Sequence, residues 1–184
     1  KDSKSNVATG KSVGIDFGMT TFLTLSDKTE IQSPLFHLKN LSKQKKLNRN
    51  LSKKKKGSKN RAKAKLQLAK LHIKTANQRR DYFHKLINQL ANKYDTIFIE
   101  ELSIKAMQMI WGRKISDLAF SEFVNILEYK GSVTKIDRLF PSSKTCSNCG
   151  HVLKELDLKI REWSCPSCQA KHLRDVNASI NIHR

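Results

Sequence analysis

SVGIDFG (residues 12–18) is a near-continuous apolar run with one carboxylate, Asp16, set inside it. Such a run reads as a strand buried on both faces, because a strand with one wet face would alternate. Working outward, TTFLTLS (20–26) alternates apolar residues with Thr, and EIQSPLF (30–36) is a weaker third strand broken by Pro34. TIFIEEL (96–102) supplies a fourth strand, with Ile97 and Ile99 on one face and Phe98 on the other, and VTKIDRLF (133–140) a fifth. SDLAFSEFVNILEYKG (116–131) predicts a helix that starts at a Ser116 cap, carries Leu118, Phe120, Phe123, Val124 and Leu127 as its apolar stripe, and stops at Gly131. RDVNASINIHR (174–184) predicts a short last helix packing through Val176, Ile180 and Ile182. Three strands followed by alternating helices and strands argue for an α/β fold with a mixed sheet and helices on its faces.

The 184 residues carry 36 Lys and Arg against 16 Asp and Glu, a net charge of +20. Val, Ile, Leu and Phe are concentrated enough at both ends to build a modest core, which excludes a wholly disordered tail. No stretch approaches the roughly 18 apolar residues of a membrane span, and KDSKSNVATGKS (1–12) lacks the apolar run of a signal peptide. A cytoplasmic protein without a membrane partner is therefore expected. The opening at Lys1, close to the first strand, reads as the C-terminal part of a longer protein.

Positive charge of this size points to a polyanion, most simply nucleic acid, although acidic membrane surfaces and heparin-like partners share the raw number. Its distribution is more informative. From Lys39 to Lys85 there are 18 Lys and Arg and one acid, Asp81, so this segment holds a net +17. LKNLSKQKKLNRNL (38–51) and residues 61–94 both show helical spacing: Leu38, Leu41, Leu47 and Leu51 mark an apolar face in the first, and Leu68, Leu71, Thr75, Phe83, Leu86, Ile87 and Leu90 in the second. SKKKKGSKN (52–60) joins them as a basic turn. Lys53, Lys54, Lys55, Lys56, Arg79 and Arg80 are the candidate phosphate contacts of the whole basic block, since a nearly acid-free basic face suits a nucleic-acid backbone better than inert solvation.

All four cysteines, Cys146, Cys149, Cys165 and Cys168, fall in CSNCGHVLKELDLKIREWSC followed by PSC. The pattern C-x2-C, fifteen residues, C-x2-C lies in the range of a four-thiolate zinc ribbon. Gly150, Pro166 and Ser167 suit two tight knuckles, and LDLKIREWSC supplies alternating strand residues between them. Disulfides would need an oxidising compartment that nothing else supports, and a redox C-x-x-C does not explain two copies. Four thiolates leave no place for water, so the Zn²⁺ is expected to hold the fold and do no chemistry. Within 146–168 the charges cancel, Lys154, Lys159 and Arg161 against Glu155, Asp157 and Glu162.

Asp16 is expensive inside an apolar strand unless a cation or hydrogen bond accompanies it, and Gly14 and Gly18 around it leave room for a ligand to approach the backbone. Glu100 closes the apolar run Thr96–Ile99 with Glu101 beside it, and Asp175 heads the last helix. Singly these acids read as a buried ion pair, a strand-end charge and a helix cap. Together, on elements that a mixed sheet brings close, they are able to bind two divalent cations and clamp the attacking and leaving oxygens of a phosphodiester. Carboxylates suit Mg²⁺ or Mn²⁺.

GIDFGMTTFLTLS, FIEELSIKAM, SSKTCSNCG with CPSC, and RDVNASINI resemble the successive blocks of the TnpB family of transposon-encoded RNA-guided endonucleases and of the related type V CRISPR effectors. The resemblance covers nearly the whole chain. It implies an RNase H-like (RuvC) mixed sheet flanked by helices over residues 1–140, with a basic helical insertion at 39–94, an inserted four-Cys zinc ribbon at 141–170, and the closing RuvC helix at 171–184. By motif position the catalytic acids are Asp16, Glu100 and Asp175, holding Mg²⁺, with Glu101 a competitor for Glu100. Arg174 is a candidate phosphate contact, and Ser142, Ser143 and Lys144 candidate lining of the entry. Leu173 stands where the family usually carries an acid, and the connections 106–113 and 129–133 look short. The implied activity is cleavage of DNA directed by a guide RNA, with guide RNA and target DNA as partners. A cleavage-deficient recruiter in transposition or silencing, and a basic zinc-ribbon protein of translation or transcription, remain the alternatives.

Overall fold

The apolar run at 12–18 becomes the central strand of the sheet. In the computed structural model, which describes residues 8–184 apart from the side chain of Arg113, β1 (Ser12–Phe17) lies antiparallel to β2 (Leu23–Leu25) and parallel to β4 (Thr96–Glu100). β3 (Glu30–Ile31) extends the antiparallel side and β5 (Ser132–Ile136) the parallel side, giving the order β3-β2-β1-β4-β5. A strand with neighbours on both edges and cover on both faces has no use for polar alternation, and Val13, Ile15 and Phe17 are all buried. The expectation that KDSKSNVATGKS carries no signal peptide rests largely on residues 1–7, which lie outside those described. Among the described residues no helix is long and apolar enough to cross a membrane.

Two helices cover β1. On one face Phe17 and Phe22 meet Phe120 and Phe123 of α4 (Phe120–Lys130), with Phe22 and Phe120 stacked at 5.6 Å and Phe17 edge-on to Phe120 at 5.3 Å. Gly14, of opposite parity to Phe17, faces α5 (Arg174–His183). A Cβ built on Gly14 would lie 2.2 Å from the Ser179 carbonyl oxygen and 2.6 Å from the His183 nitrogen. The missing side chain is what lets this helix rest on the strand. Asp175, Ser179 and His183 are spaced by four and share one helix face, so the contact at Gly14 also sets where Asp175 falls.

Several expected boundaries move. The third strand ends at Ile31, well before Pro34. The helix expected at 116–131 divides: α3 (Ile104–Leu118) runs through most of the segment read as a connection, and α4 begins after Ala119, which sits in the left-handed region at φ 51°. Ile115, Leu118 and Phe120 are all buried, and a straight helix cannot aim all of them inward. Ser116 is not a cap but an interior residue whose hydroxyl donates to the Gly112 carbonyl at 3.1 Å; Gly131 does end the helix. α3 is itself interrupted at Gly112, φ 39° and ψ −105°. Residues 137–140 turn instead of extending β5, with the Phe140 N–H donating to Asp137 O at 3.0 Å.

In the ribbon the strand shrinks to β6 (Glu162–Ser164), paired with β7 (Lys171–Leu173). Leu158 and Ile160 are exposed, so no burial holds them extended, and 157–160 form a turn closed by Ile160 N–H on Asp157 O.

The chain divides into two compact units, one running up to Ser33 and again from Ile87 to Arg184, the other Pro34–Leu86. The second contains α1 (Phe36–Ser52) and most of α2 (Lys59–Lys93), joined by a turn through Lys53–Ser58. Leu71 and Thr75 are buried, but the apolar face expected on α1 is not: Leu38 is 57% exposed and Leu41, Leu47 and Leu51 are only half-buried. Arg61 donates to the carbonyls of Leu51 and Lys54 at 3.0 and 3.1 Å, closing the end of α1. One of the basic residues is thus a helix cap.

Gly14→Ala is expected to destabilise the protein by about 1–3 kcal/mol, the usual range for overpacking against backbone. Gly131→Ala, whose added Cβ would lie 3.6 Å from its nearest neighbour, should change little. Thermal unfolding of the two variants checks this; equal midpoints would mean that α5 does not press on β1.

Candidate active site and metal centre

Register and helix placement bring the three acids together. Ile15 of β1 pairs with Ile99 of β4, so Asp16 and Glu100 come next on adjacent parallel strands, both at the C-terminal ends where open α/β sheets bind ligands. α5, seated on Gly14, contributes Asp175 from its first turn. All three line one cavity of about 520 Å³, together with Ser142, Arg161 and Arg174. Ser143 and Lys144 line it too, as expected of the segment before the ribbon.

Burial, reinforced by the neighbouring Asp175 and Glu100 carboxylates, pushes the Asp16 carboxyl up to about 7, and Arg174 and Arg161 offset only part of this. Burial also raises Glu100, opposed by the Ser142 hydroxyl, which donates to its Oε2 at 3.4 Å. Asp175 has a direct partner, Arg161 Nη1, at 3.4 Å. Arg174 lines the cavity while its Nη1 donates to Asp157 O at 2.9 Å, so it also holds the ribbon turn. Glu101 is exposed and lines a different, smaller hollow.

Gly14 and Gly18 do not leave the room for a ligand that the sequence implies. The Gly14 space is taken by α5, and a Cβ on Gly18 would lie 2.4 Å from Thr21 O in the tight loop between β1 and β2.

Sequence reasoning passes over the residues that hold α5 in place. Its buried positions include Asn177, Ser179 and Asn181, where Val176 and Ile180 were expected to do the packing; those two are half-buried and only Ile182 is fully covered. Asn177 Nδ2 donates to Thr145 O at 2.7 Å and its Oδ1 accepts from Ser147 N–H at 2.9 Å. Asn181 Nδ2 donates to Ser142 O at 2.8 Å and Thr145 O at 2.6 Å. This pair secures the 142–147 segment, placing Ser142 beside Glu100 and Cys146 in the ribbon. The available signal is the i, i+4 spacing of two asparagines, poor helix formers, within a helix.

The four cysteine sulfurs lie within 4.8 Å of one another, with Cys146–Cys168 at 3.7 Å and Cys149–Cys165 at 3.6 Å. A tetrahedral metal with bonds of ~2.3 Å would set these edges at about 3.8 Å. Two like turns hold them. Gly150 N–H donates to Cys146 O and Gln169 N–H to Cys165 O, both at 2.9 Å, and Gly150 and Gln169 both have positive φ. Cys146 N–H donates to His151 O and Cys165 N–H to Ala170 O in the same relation. The Asn148 amide and the Ala170 N–H hold the Cys168 thiol down to about 6. Four converging sulfurs form a site able to hold a metal ion.

Of the candidate phosphate contacts outside the cavity, Lys53, Lys55, Lys56 and Arg80 are exposed, and Lys54 and Arg79 half-buried. Lys45, Lys46 and Arg49 of α1, which the sequence reading did not single out, line with Ser42, Asn50 and the candidate Lys53 a surface hollow of about 610 Å³.

Residues 1–110 match the family model described as Probable transposase (OrfB_IS605), and residues 120–182 the model described as Cas12f1-like, TNB domain. A Streptomyces pristinaespiralis protein, provisionally named an RNA-guided DNA endonuclease, is 41% identical over 95% of this chain and 45% of its own length. TnpB-like protein L79 of Acanthamoeba polyphaga mimivirus is 31% identical over 93% of this chain and 36% of its own. The chain spans under half the length of these relatives. Among solved structures, a Cas12f1–sgRNA–target DNA complex superposes with a TM-score of 0.66 at 23% identity, over 98% of this chain and 39% of that one; the likeness is one of fold, and it agrees with the RuvC-like sheet implied by the resemblance. The chain belongs to the TnpB family, the family of the OrfB_IS605 transposase model that its first 110 residues match.

Proposed function

We propose that this chain is the RuvC-like nuclease and zinc-ribbon portion of an RNA-guided DNA endonuclease acting in a prokaryotic cytoplasm. The observation that carries the reading is the convergence of Asp16, Glu100 and Asp175 on one cavity. In domain terms residues 1–140 and 171–184 would form the nuclease, 39–94 its basic insertion and 141–170 the ribbon.

The donor set fits Mg²⁺. It consists of hard carboxylate oxygens, and the burial that, with repulsion from Asp175 and Glu100, holds Asp16 up to about 7 is a cost that a divalent cation would offset. When bound, Mg²⁺ supplies water activation and stabilisation of the charge developing on the phosphate and leaving oxygen. The chain's own part is to aim the ligands. Asp16 and Glu100 project from the C-terminal ends of adjacent inner strands, Ser142 orients Glu100, and α5 carries Asp175. Arg161 and Arg174 face the same cavity, where they can bind phosphate oxygens. Zn²⁺ suits the four sulfurs, whose spacing matches a closed tetrahedral site. Lys53, Lys54, Lys55, Lys56, Arg79 and Arg80 in the basic unit, with Arg174, would contact phosphates of guide RNA and target DNA, a salt-dependent attraction.

Asp16→Ala in the full-length protein, assembled with its guide RNA, is expected to lower cleavage in Mg²⁺ by roughly 10³-fold or more while target binding persists, because a lost metal site removes several kcal/mol of transition-state stabilisation. Target binding by the wild type with no cut product would defeat the nuclease reading in favour of a recruiter.

Stability without Mg²⁺ gives a second test. The folded Asp16 carboxyl is pushed up to about 7 against 3.8 for the unperturbed carboxyl of an open chain, so between these values the folded form holds a proton that the unfolded form has lost. Stability therefore falls as pH rises through this window and the penalty is complete above 7. Asp16→Asn should be more stable than wild type at pH 8, by at most a few kcal/mol, and near parity at pH 4. Unfolding curves in magnesium-free buffer at both pH values check the sign, and Mg²⁺ should reverse the order at pH 8.

Elemental analysis of the purified chain should find one zinc per molecule. Cys165→Ser should lose it and leave the ribbon open to proteolysis, since metal binding and folding are coupled in such modules. A zinc-free, protease-resistant ribbon would exclude the structural metal.

A further inference from the structure

His172 lies on β7 and is not one of the four cysteines, yet its Nε2 is 3.0 Å from Cys146 Sγ. It pairs in register with Trp163 of β6, and the two rings sit 4.7 Å apart. Trp163 is buried with Cys146 and Cys165, and Leu153 and Leu156 pack on that cluster. Its indole Nε1 has no hydrogen-bond partner among the described residues, so the ring serves as an apolar wall. The imidazole is thus held between a flat hydrophobic surface and a sulfur.

Resting on the zinc reading of the four cysteines, we propose that His172 is a positioning residue of the metal site, donating its Nε2–H to the Cys146 thiolate and fixing the direction in which that sulfur meets the metal. A metal-bound thiolate carries no proton and can only accept, so the ring must present its hydrogen at Nε2. A bond of this kind orients the ligand and draws charge from the sulfur, and partners just outside a metal's ligands govern how long it is retained. The location adds a consequence for the chain: β7 runs directly into α5, so His172 stands three residues before Asp175. The contact fastens the strand that delivers the third carboxylate to the metal that holds the ribbon.

The test uses the whole chain, loaded with zinc or with cobalt(II) as a spectroscopic probe, and begins with the wild type. Failure of the wild type to bind either metal would sink the zinc reading, and this inference with it, before any variant is made. With metal bound, His172→Ala should release zinc to a chelating dye roughly tenfold to a hundredfold faster and shift the cobalt–thiolate charge-transfer band. His172→Phe keeps a ring against Trp163 but no donor and should behave like His172→Ala. His172→Gln, which retains an N–H, should recover most of the wild-type rate. If His172→Ala does not fold, the comparison of the Phe and Gln substitutions decides. Wild-type release and an unshifted band in His172→Phe would overturn the proposal. So would a wild-type cobalt spectrum of three sulfurs and one nitrogen, which would make His172 a ligand.

Discussion

Where α5 lies on β1 the strand offers no side chain, and the helix backbone fills the space that any Cβ on Gly14 would need. Most of the site follows from this one contact. It fixes the helix face bearing Asp175, Ser179 and His183 against the central strand, and so brings Asp175 to the strand end that carries Asp16. Asn177 and Asn181 then tie the same helix to the carbonyls of Ser142 and Thr145. A single helix thereby gathers the third carboxylate, the hydroxyl that orients the second, and the segment entering the first cysteine turn. On the far face of β1 the Phe17–Phe22–Phe120–Phe123 cluster resists displacement of the strand. Close packing on both sides makes the carboxylate geometry a property of the core, where small shifts are costly.

That geometry is electrostatically unfavourable by itself. Burial is the largest cost of charging Asp16, which shares the α5 side of β1 with Gly14, and the Asp175 and Glu100 carboxylates add their repulsion. The other two acids are better provided for: Glu100 accepts from Ser142, and Asp175 pairs with Arg161. The imbalance makes Asp16, at the strand end, the carboxyl with the most to gain from a nearby cation. A fold selected for stability alone would not place an ionisable group there; strain of this sort is typical of sites kept for chemistry.

Periodicity made the sheet legible because its strands are short and differ in how they are buried. The two-sided burial of β1 shows as a continuous apolar run, and the alternation of Ile97 and Ile99 with Phe98 marks β4 as expected. The acids were legible through chemical incongruity, as charges closing apolar strands, and the cysteines through spacing. What local pattern could not reveal depends on tertiary packing. Ala119 adopts a left-handed conformation because Leu118 and Phe120 must both turn inward. The buried asparagines of α5 look like surface residues until their carbonyl partners, more than thirty residues away in sequence, are known. Gly14 reads as space for a ligand until the helix is seen in it. The leucines of α1 have helical spacing but are exposed or half-buried, so spacing alone overstates their role.

Charge counted by segment also hides one important cation. The ribbon from 146 to 168 is neutral in sum, yet it contributes Arg161 to the acid-lined cavity. Backbone pairing controls this placement: Arg174 N–H donates to Arg161 O at 2.8 Å at the end of the β6–β7 ladder, so both arginines reach the cavity from opposite sides of one hairpin. The hairpin is short, and the four converging sulfurs and the Trp163 cluster hold its other end. The +17 between Lys39 and Lys85 is of another kind, carried by mostly exposed side chains whose attraction for a polyanion is screened over about 10 Å at ordinary salt. Exposed charge of that sort governs encounter and overall affinity. Arg161 acts differently, at 3.4 Å from the half-buried Asp175 in the acid-lined cavity, so this one cation of the neutral ribbon bears more directly on the site.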